Sequence, residues 1–287
     1  MSPQAYLALW CVVFGTVALV GYARSLAGVT AAQRAVRVMG RIEQVREPRH
    51  GSSQRDGIHA VVSFQDPSSG EEFTVTNDRD HGERITAAWT GREIGVRYPR
   101  GRPHAYQFFT GDLSAGRRGL GWPNFALFLI YVGLVVFAAI DWSWSWALIG
   151  FGVPWTLSGV WYMPPNARAV RRRTDALTSQ PPVPGRVIAV LTDTGTDSEG
   201  GTFTSHTPVI AFTTHEGTTV TAYCADELPD PTNSRGRDVT IHYDPDDPAV
   251  FTANLASEDR SGALDITCGT VALLLGVAAV VVGVALL

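Results

Sequence analysis

Four stretches of this chain carry no charged residue at all: Met1–Ala23, Gly119–Ile140, Trp142–Ala167 and Ile266–Leu287. Each is close to the roughly 20 residues that a helix needs to cross the hydrocarbon of a bilayer. A long buried helix in a soluble protein keeps a charged face toward water, and none of these has one. In hydrocarbon the backbone must satisfy its own polar groups, which selects the helix. The expectation is therefore a multi-pass membrane protein with four transmembrane α-helices. Met1–Tyr6 has no basic residue, so the first segment reads as a retained helix rather than a signal peptide. Pro154 should kink the third helix, and Pro164–Pro165 should end it.

These helices divide the chain. Residues 1–23 are helix one, 24–118 a first β-rich domain, 119–140 helix two, 142–163 helix three, 164–262 a second β-rich domain and 264–287 helix four. Only Asp141 and the run Trp142–Ser143–Trp144–Ser145–Trp146 join helices two and three, so those helices form an antiparallel hairpin. The tryptophans suit a headgroup belt, as do Tyr6 and Trp10 at the same face and Trp122, Trp161 and Tyr162 at the other.

The flanking charges are one-sided. Arg24, Arg34, Arg37, Arg117, Arg118, Arg168 and Arg171–Arg173 all lie toward the domains, whereas Asp141 is the one charge at the opposite face. The positive-inside rule places both domains in the cytoplasm, although long loops can translocate regardless of charge, so an outward orientation stays open. A second role for Arg117, Arg118, Arg168, Arg171, Arg172 and Arg173 is contact with anionic lipid, at about 1 kcal/mol per residue near the surface.

The two loop regions read as copies. Gly40, Gly91 and Tyr98 recur as Gly185, Gly236 and Tyr243 at one offset, each pair heading similar segments: Gly-Arg-Ile against Gly-Arg-Val, and Gly-Arg-Glu-Ile against Gly-Arg-Asp-Val. Ala60–Phe64 matches Pro208–Phe212 after a short insertion. Fixed-offset similarity is the mark of duplication, and each half is then helix–β-domain–helix. Phe73 and Val75, then Ile94, Val96 and Tyr98, then Val239, Ile241 and Tyr243 alternate with polar residues as half-buried strands do. Asp66–Gly70 and His215–Gly217 are turn signals between them. Each copy is a small all-β domain, barrel- or sandwich-like. Arg79–Trp89 reads as a short helix.

The glycine-led first strand and the Tyr-Pro or Tyr-Asp-Pro ending (Tyr98–Pro99, Tyr243–Pro245) resemble bacterial, commonly actinobacterial, membrane proteins of domain-of-unknown-function family 3592. The resemblance implies two tandem copies with flanking helices and implies no activity. The first copy departs from it, because Tyr98 is followed directly by proline.

Chemistry is sparse. All 23 basic residues are arginine, so Schiff-base lysines, Ser–Lys dyads and a phosphate-binding P-loop lysine are excluded. No His-Glu-x-x-His, Cys-x-x-Cys or Gly-x-Ser-x-Gly occurs. Cys11 and Cys268 sit at different depths of their helices and Cys224 is alone in its domain, which makes neither a disulfide framework nor a metal site. His206, His215 and His242 read as exposed strand and turn residues, with a metal- or pH-sensing trio as the sharper alternative. Asp244, Asp246 and Asp247 read as a solvated turn, being punctuated by Pro245 and Pro248. No cofactor, metal, nucleic acid or catalysis is expected.

In the last helix Gly269, Ala272, Gly276, Ala279 and Gly283 share one face. Such a stripe allows a neighbouring membrane helix to approach closely. Residues 24–120 hold 15 Arg against 11 Asp and Glu, net +4, and residues 164–265 hold 8 Arg against 15, net −7. Opposite charge suggests that the two β-domains pair with each other, with complementarity setting register. Beyond the bilayer itself, a membrane-protein partner or a homo-oligomer is also expected. The functional reading is a non-enzymatic membrane protein whose β-domains bind a partner or each other. The alternatives are an envelope sensor or assembly factor, and a small-solute channel or transporter. The last is disfavoured by the absence of ionisable side chains in the apolar segments.

Overall fold

The structure, a computed structural model, describes residues 3–54, 57–77, 83–111, 119–196, 200–226 and 228–287. The chain forms two compact units. One is helical and comprises Met1–Arg34, Gly116–Val170 and Ser261–Leu287; the other is the β unit, Ala35–Ala115 and Arg171–Arg260.

In the helical unit, α1 (Pro3–Leu26) lies antiparallel to α3 (Gly121–Asp141). Near one end of the pair the Trp10 indole donates to the Leu129 carbonyl at 2.8 Å, and near the other the Tyr22 hydroxyl donates to Asn124 Oδ1 at 2.6 Å. A short helix, α2 (Ala31–Arg34), follows α1. After Trp142–Trp144 the chain reverses into α4 (Ser145–Thr178), and Val135 packs where Gly150 has no side chain. The last helix is α5 (Leu255–Ala285).

Among the described residues, three helices are long and apolar enough to cross a membrane: Gln4–Leu26, Gly121–Asp141 and Leu255–Ala285. The fourth expected span, on α4, is not among them. Helix α4 is long enough and its first half is uncharged, but tryptophan, glycine, serine and proline dilute its apolar character. Protein buries only 6%, 17% and 11% of the apolar windows of the three spans, which leaves most of their surface for lipid.

The expectation that Pro164–Pro165 ends the third helix fails. Helix α4 runs through Pro154, Pro164 and Pro165 to Thr178. A proline pair removes two donors and strains one turn, yet each flanking segment is long enough to propagate as helix. The second sheet therefore begins only at Val183, and α5 begins at Leu255, well before the apolar run.

The β unit holds two antiparallel sheets. The first comprises β1 (Ala35–Val45), β2 (Ala60–Gln65), β3 (Glu72–Thr76), β5 (Glu93–Pro99) and β6 (Gln107–Phe109), in the order β3-β2-β1-β5-β6. The second comprises β7 (Val183–Thr196), β8 (Thr202–Thr213), β9 (Thr219–Tyr223), β10 (Asp238–Tyr243) and β11 (Phe251–Thr252), in the order β11-β10-β7-β8-β9 with β4 (Ala87–Ala88) added beside β9. The expected helix at residues 79–89 is therefore wrong for Ala87–Ala88, which are strand; residues 78–82 lie outside the described residues.

Leaving β4 aside, the two sheets share one strand order, and the registers correspond. Gly40 faces Ile94 as Gly185 faces Val239, and Arg41 faces Glu93 as Arg186 faces Asp238. Each long first strand has a bulge at the same place, between Ile42 and Gln44 and between Val187 and Ala189. In each, a positive-φ glycine donates to the strand just before the bulge: Gly91 to the Ile42 carbonyl and Gly236 to the Val187 carbonyl, both at 2.7 Å. A Cβ on Gly40 would meet Val62 and Val96, and one on Gly185 would meet the corresponding Ile210 and Ile241.

Each sheet has its own apolar core. Ile42, Val62, Phe64, Val96, Tyr98 and Phe108 centre the first, and Val187, Ile210, Phe212, Val220, Ile241 and Tyr243 the second. The cores interleave: Tyr223 of β9 packs on the first, while Ala87 and Trp89 pack on the second.

Candidate functional site

Two segments of the first half attach to open edges of the second sheet. Beyond its pairing with β10, strand β7 would expose the N–H and C=O groups around residues 190–193. The loop His50–Gln54 covers them: Gly51 N–H donates to the Val190 carbonyl (2.8 Å), Thr192 N–H to the Ser52 carbonyl (2.9 Å), and Val190 N–H to His50 Nδ1 (3.2 Å). The Asp193 carboxylate adds bonds from the Ser53 hydroxyl (2.5 Å) and the Gln54 N–H (3.2 Å). The second attachment is β4. Ala87 faces Ala222, Ala88 faces Thr221, and Tyr223 N–H donates to the Thr86 carbonyl at 2.8 Å. Arg92 holds this segment in place by donating to the Ala87 carbonyl and stacking over Trp89, with its guanidinium 4.7 Å from the ring centroid. Burial lowers the pKa of Arg92, partly offset by the charge of Asp247.

A cleft of about 840 Å³ opens where these elements meet. Gln54 and Thr86 come from the first half, His206–Pro208 and Tyr223–Asp226 from β8 and β9, and Arg173 and Glu258 from the last turns of α4 and the first of α5. Four of its polar side chains have partners, those of Asp226, His206, Arg173 and Glu258. The Asp226 carboxylate accepts from the Thr252 hydroxyl (2.9 Å) and the Ala253 N–H (2.5 Å). His206 Nδ1 lies 3.4 Å from the Thr192 hydroxyl, and Arg173 pairs with Glu258. Burial raises the Cys224 thiol to about 11, so at neutral pH it is a protonated, unreactive group. Apolar walls come from Leu228, Pro231, Ala249 and Phe251. The arrangement can hold a ligand by shape and by a few polar contacts from the described residues.

The other candidates take separate places. His215 gives its N–H to the Tyr243 hydroxyl at 2.9 Å, with its ring against the Pro181 carbonyl at 3.0 Å, while His242 lies within β10. Among the described residues no group of His, Cys, Asp and Glu is arranged to hold a metal. In the acidic turn, Asp244 accepts from the Asp246 N–H (2.9 Å) and Asp247 from the Ala249 N–H (3.1 Å), so both carboxylates cap the turn. Arg168, Arg171 and Arg172 are exposed on α4, and Arg117 and Arg118 lie outside the described residues.

The small residues of α5 lie along α4. Gly276 sits against Trp155 and Thr156, Gly283 against Leu148 and Ile149, and the Trp155 indole donates to the Ala272 carbonyl at 2.9 Å. Gly269 has only Met163 near, at 3.9 Å, and Ala279 is half-buried. The structure extends this seam toward the start of α5 and adds glycines on the opposing helix. Gly262 meets Val170, and on the opposing helix Gly152 meets Val280 and Gly159 meets Leu273. Gly262, Gly269, Gly276 and Gly283 are spaced by seven, as are Gly152 and Gly159. A seven-residue repeat keeps one seam facing a partner along two helices that coil left-handedly. That spacing was the available sequence signal for the residues outside the stripe.

The two attachments had no comparable signal. Two alanines form no periodic pattern, and the Arg46–Gly57 segment reads as a polar loop. Residues 183–255, which are strands β7–β11 and the residues up to the start of α5, match the family model described as a domain of unknown function (DUF3592). No curated protein and no solved structure matches the chain.

Proposed function

We propose that this is a membrane-anchored, non-catalytic binding protein whose β unit recognises a partner through the cleft at its seam. The observation that carries the reading is the cleft itself. It is large enough for a ligand segment, since pockets of ~300–1,000 Å³ are the usual range, and the described Arg173, Asp226 and Glu258 are engaged in structural bonds. The photo-crosslinking residue benzoylphenylalanine, placed at Thr207 in the cleft, tests it in native membranes. A discrete adduct from Thr207, missing when the same residue is placed at Glu216, is the expected result. No adduct at Thr207 would sink the reading.

Internal duplication belongs to the same proposal. The common strand order, the matched bulges and the offset of the glycines support it, and the two copies then pair within one chain through the loop 50–54 and β4. Four membrane passages, with α4 as the least apolar, follow from the uncharged run Trp142–Ala167 and from the hairpin with α3. The one-sided arginines favour a cytoplasmic β unit. The sensor alternative draws on one observation: Arg173 and Glu258 line the cleft and tie the turns of α4 and α5 that enter it. A ligand that displaces this pair would alter how those helices are held. The channel alternative has less behind it, because α4 and α5 meet along close-packed small residues.

A further inference from the structure

The α4–α5 seam is tight at Gly262, Gly276 and Gly283, where an added Cβ would lie 2.7–2.8 Å from the facing helix. At Gly269 the nearest atom is 3.9 Å away, and a groove of about 620 Å³ opens there. Its body is apolar, formed by Trp155, Met163, Leu273 and Ile266, while Asn166 and Asp265 form its other end. Asp265 is the single charged side chain among the lining residues. Trp155 and Tyr162, both more than half exposed, flank the opening, and an amphipathic ring such as that of Tyr162 settles at headgroup level.

We propose that this groove holds one acyl chain of an amine-bearing phospholipid of the phosphatidylethanolamine type. The chain lies along Gly269, and the ammonium donates to the Asp265 carboxylate. Two features select this occupant. The first rests on the proposed passage of α4 through the bilayer: an apolar trough on helices embedded in lipid is filled by lipid, since neither water nor a vacuum would stabilise it. The one carboxylate in its lining matches a cation that carries N–H donors. A choline headgroup has the charge but no N–H, so it should bind more weakly.

The test uses the full chain reconstituted in phosphatidylcholine vesicles. These carry trace chain-labelled phosphatidylethanolamine, phosphatidylcholine or phosphatidylglycerol, and the motionally restricted fraction is read by electron spin resonance. Wild type should retain the ethanolamine lipid roughly tenfold more tightly than the choline lipid, the effect of about one charge-assisted hydrogen bond. Asp265→Asn should abolish that preference. Gly269→Leu and Ala169→Leu, which fill the groove from either helix, should remove the restricted component beyond the ordinary lipid shell. Thermal unfolding in detergent identifies any variant that fails to fold, and the two filling variants act independently. Equal retention of all three headgroups by wild type, preference for phosphatidylglycerol, or unchanged retention in a folded filling variant would each overturn the proposal.

Discussion

Replacing Gly276 with alanine should weaken the helical unit, whereas the same change at Gly269 should not. A methyl at Gly276 would lie 2.8 Å from both Thr156 Oγ1 and Trp155 Cδ1. Neither neighbour can move freely. The Thr156 hydroxyl donates to the Gly152 carbonyl at 2.8 Å, and the Trp155 indole donates to the Ala272 carbonyl at 2.9 Å. Turning either side chain away gives up a hydrogen bond worth ~0.5–1.5 kcal/mol, and leaving both in place forces the helices apart at an overpacking cost of ~1–3 kcal/mol. Against this stands the intrinsic gain of alanine over glycine in a helix, about 1 kcal/mol. The balance for Gly276→Ala is a loss of up to about 2 kcal/mol, centred on about 1. At Gly269 a methyl meets nothing closer than Met163 Cε at 3.9 Å, so the propensity gain stands alone and the variant should be neutral or up to about 1 kcal/mol more stable. Reversible unfolding in mixed sodium dodecyl sulfate and dodecyl maltoside micelles, followed by tryptophan fluorescence, measures both. Equal destabilisation by the two substitutions, or no effect of either, would refute the argument that α4 and α5 meet at Gly276 and part at Gly269.

The corresponding glycines of the two sheets make a further comparison: Gly40→Ala and Gly185→Ala each place a methyl 2.7 Å from a core side chain, Val62 and Ile241 respectively, and each should cost about 1–3 kcal/mol in thermal or denaturant unfolding. The Asp66 carboxylate is held down to about 2 by the Ser68 N–H and hydroxyl, then by Tyr98 and Ser69. Because the folded pKa lies below the unfolded one, the contribution of Asp66 is present above about pH 4 and is lost as the pH falls toward 2; in Asp66→Asn that segment of the stability–pH profile should flatten. Tyr98 is pushed up to about 12, chiefly by burial and then by Asp66, so its contribution is present below pH 10 and is lost between about 10 and 12, a loss that Tyr98→Phe should remove from an alkaline titration. Cys224 should resist iodoacetamide in the folded protein at pH 8 and react once denaturant is added, as mass spectrometry would read.

Much of the architecture is legible in local sequence because the forces behind it are local or periodic. Absence of charge over a run such as Gly119–Ile140 is a solvation property, and it needs no knowledge of neighbours. Alternation in Ile94-Gly95-Val96-Arg97-Tyr98 marks a strand with one buried face, and the structure buries Ile94, Val96 and Tyr98. The errors arose where context competes with a local rule. Pro164–Pro165 reads as a stop, but helix on both sides carries α4 through it. Asp193 looks like one more surface carboxylate until the loop 50–54 folds onto β7 and supplies its donors.

Composition and periodicity by themselves determined that the chain needs a bilayer, that β-strands fill the intervening segments, and that lysine chemistry is absent, since each follows from solvation or from residue inventory. Only the tertiary structure decided which edges are covered and where the cavities lie. Strand β4 has two residues and no periodicity of its own, and it exists because β9 offers unpaired N–H and C=O groups that must be satisfied. Likewise, the seven-residue glycine spacing announces a seam, but whether that seam is closed at Gly276 and open at Gly269 depends on the side chains that α4 brings opposite, and these lie more than a hundred residues away in the chain.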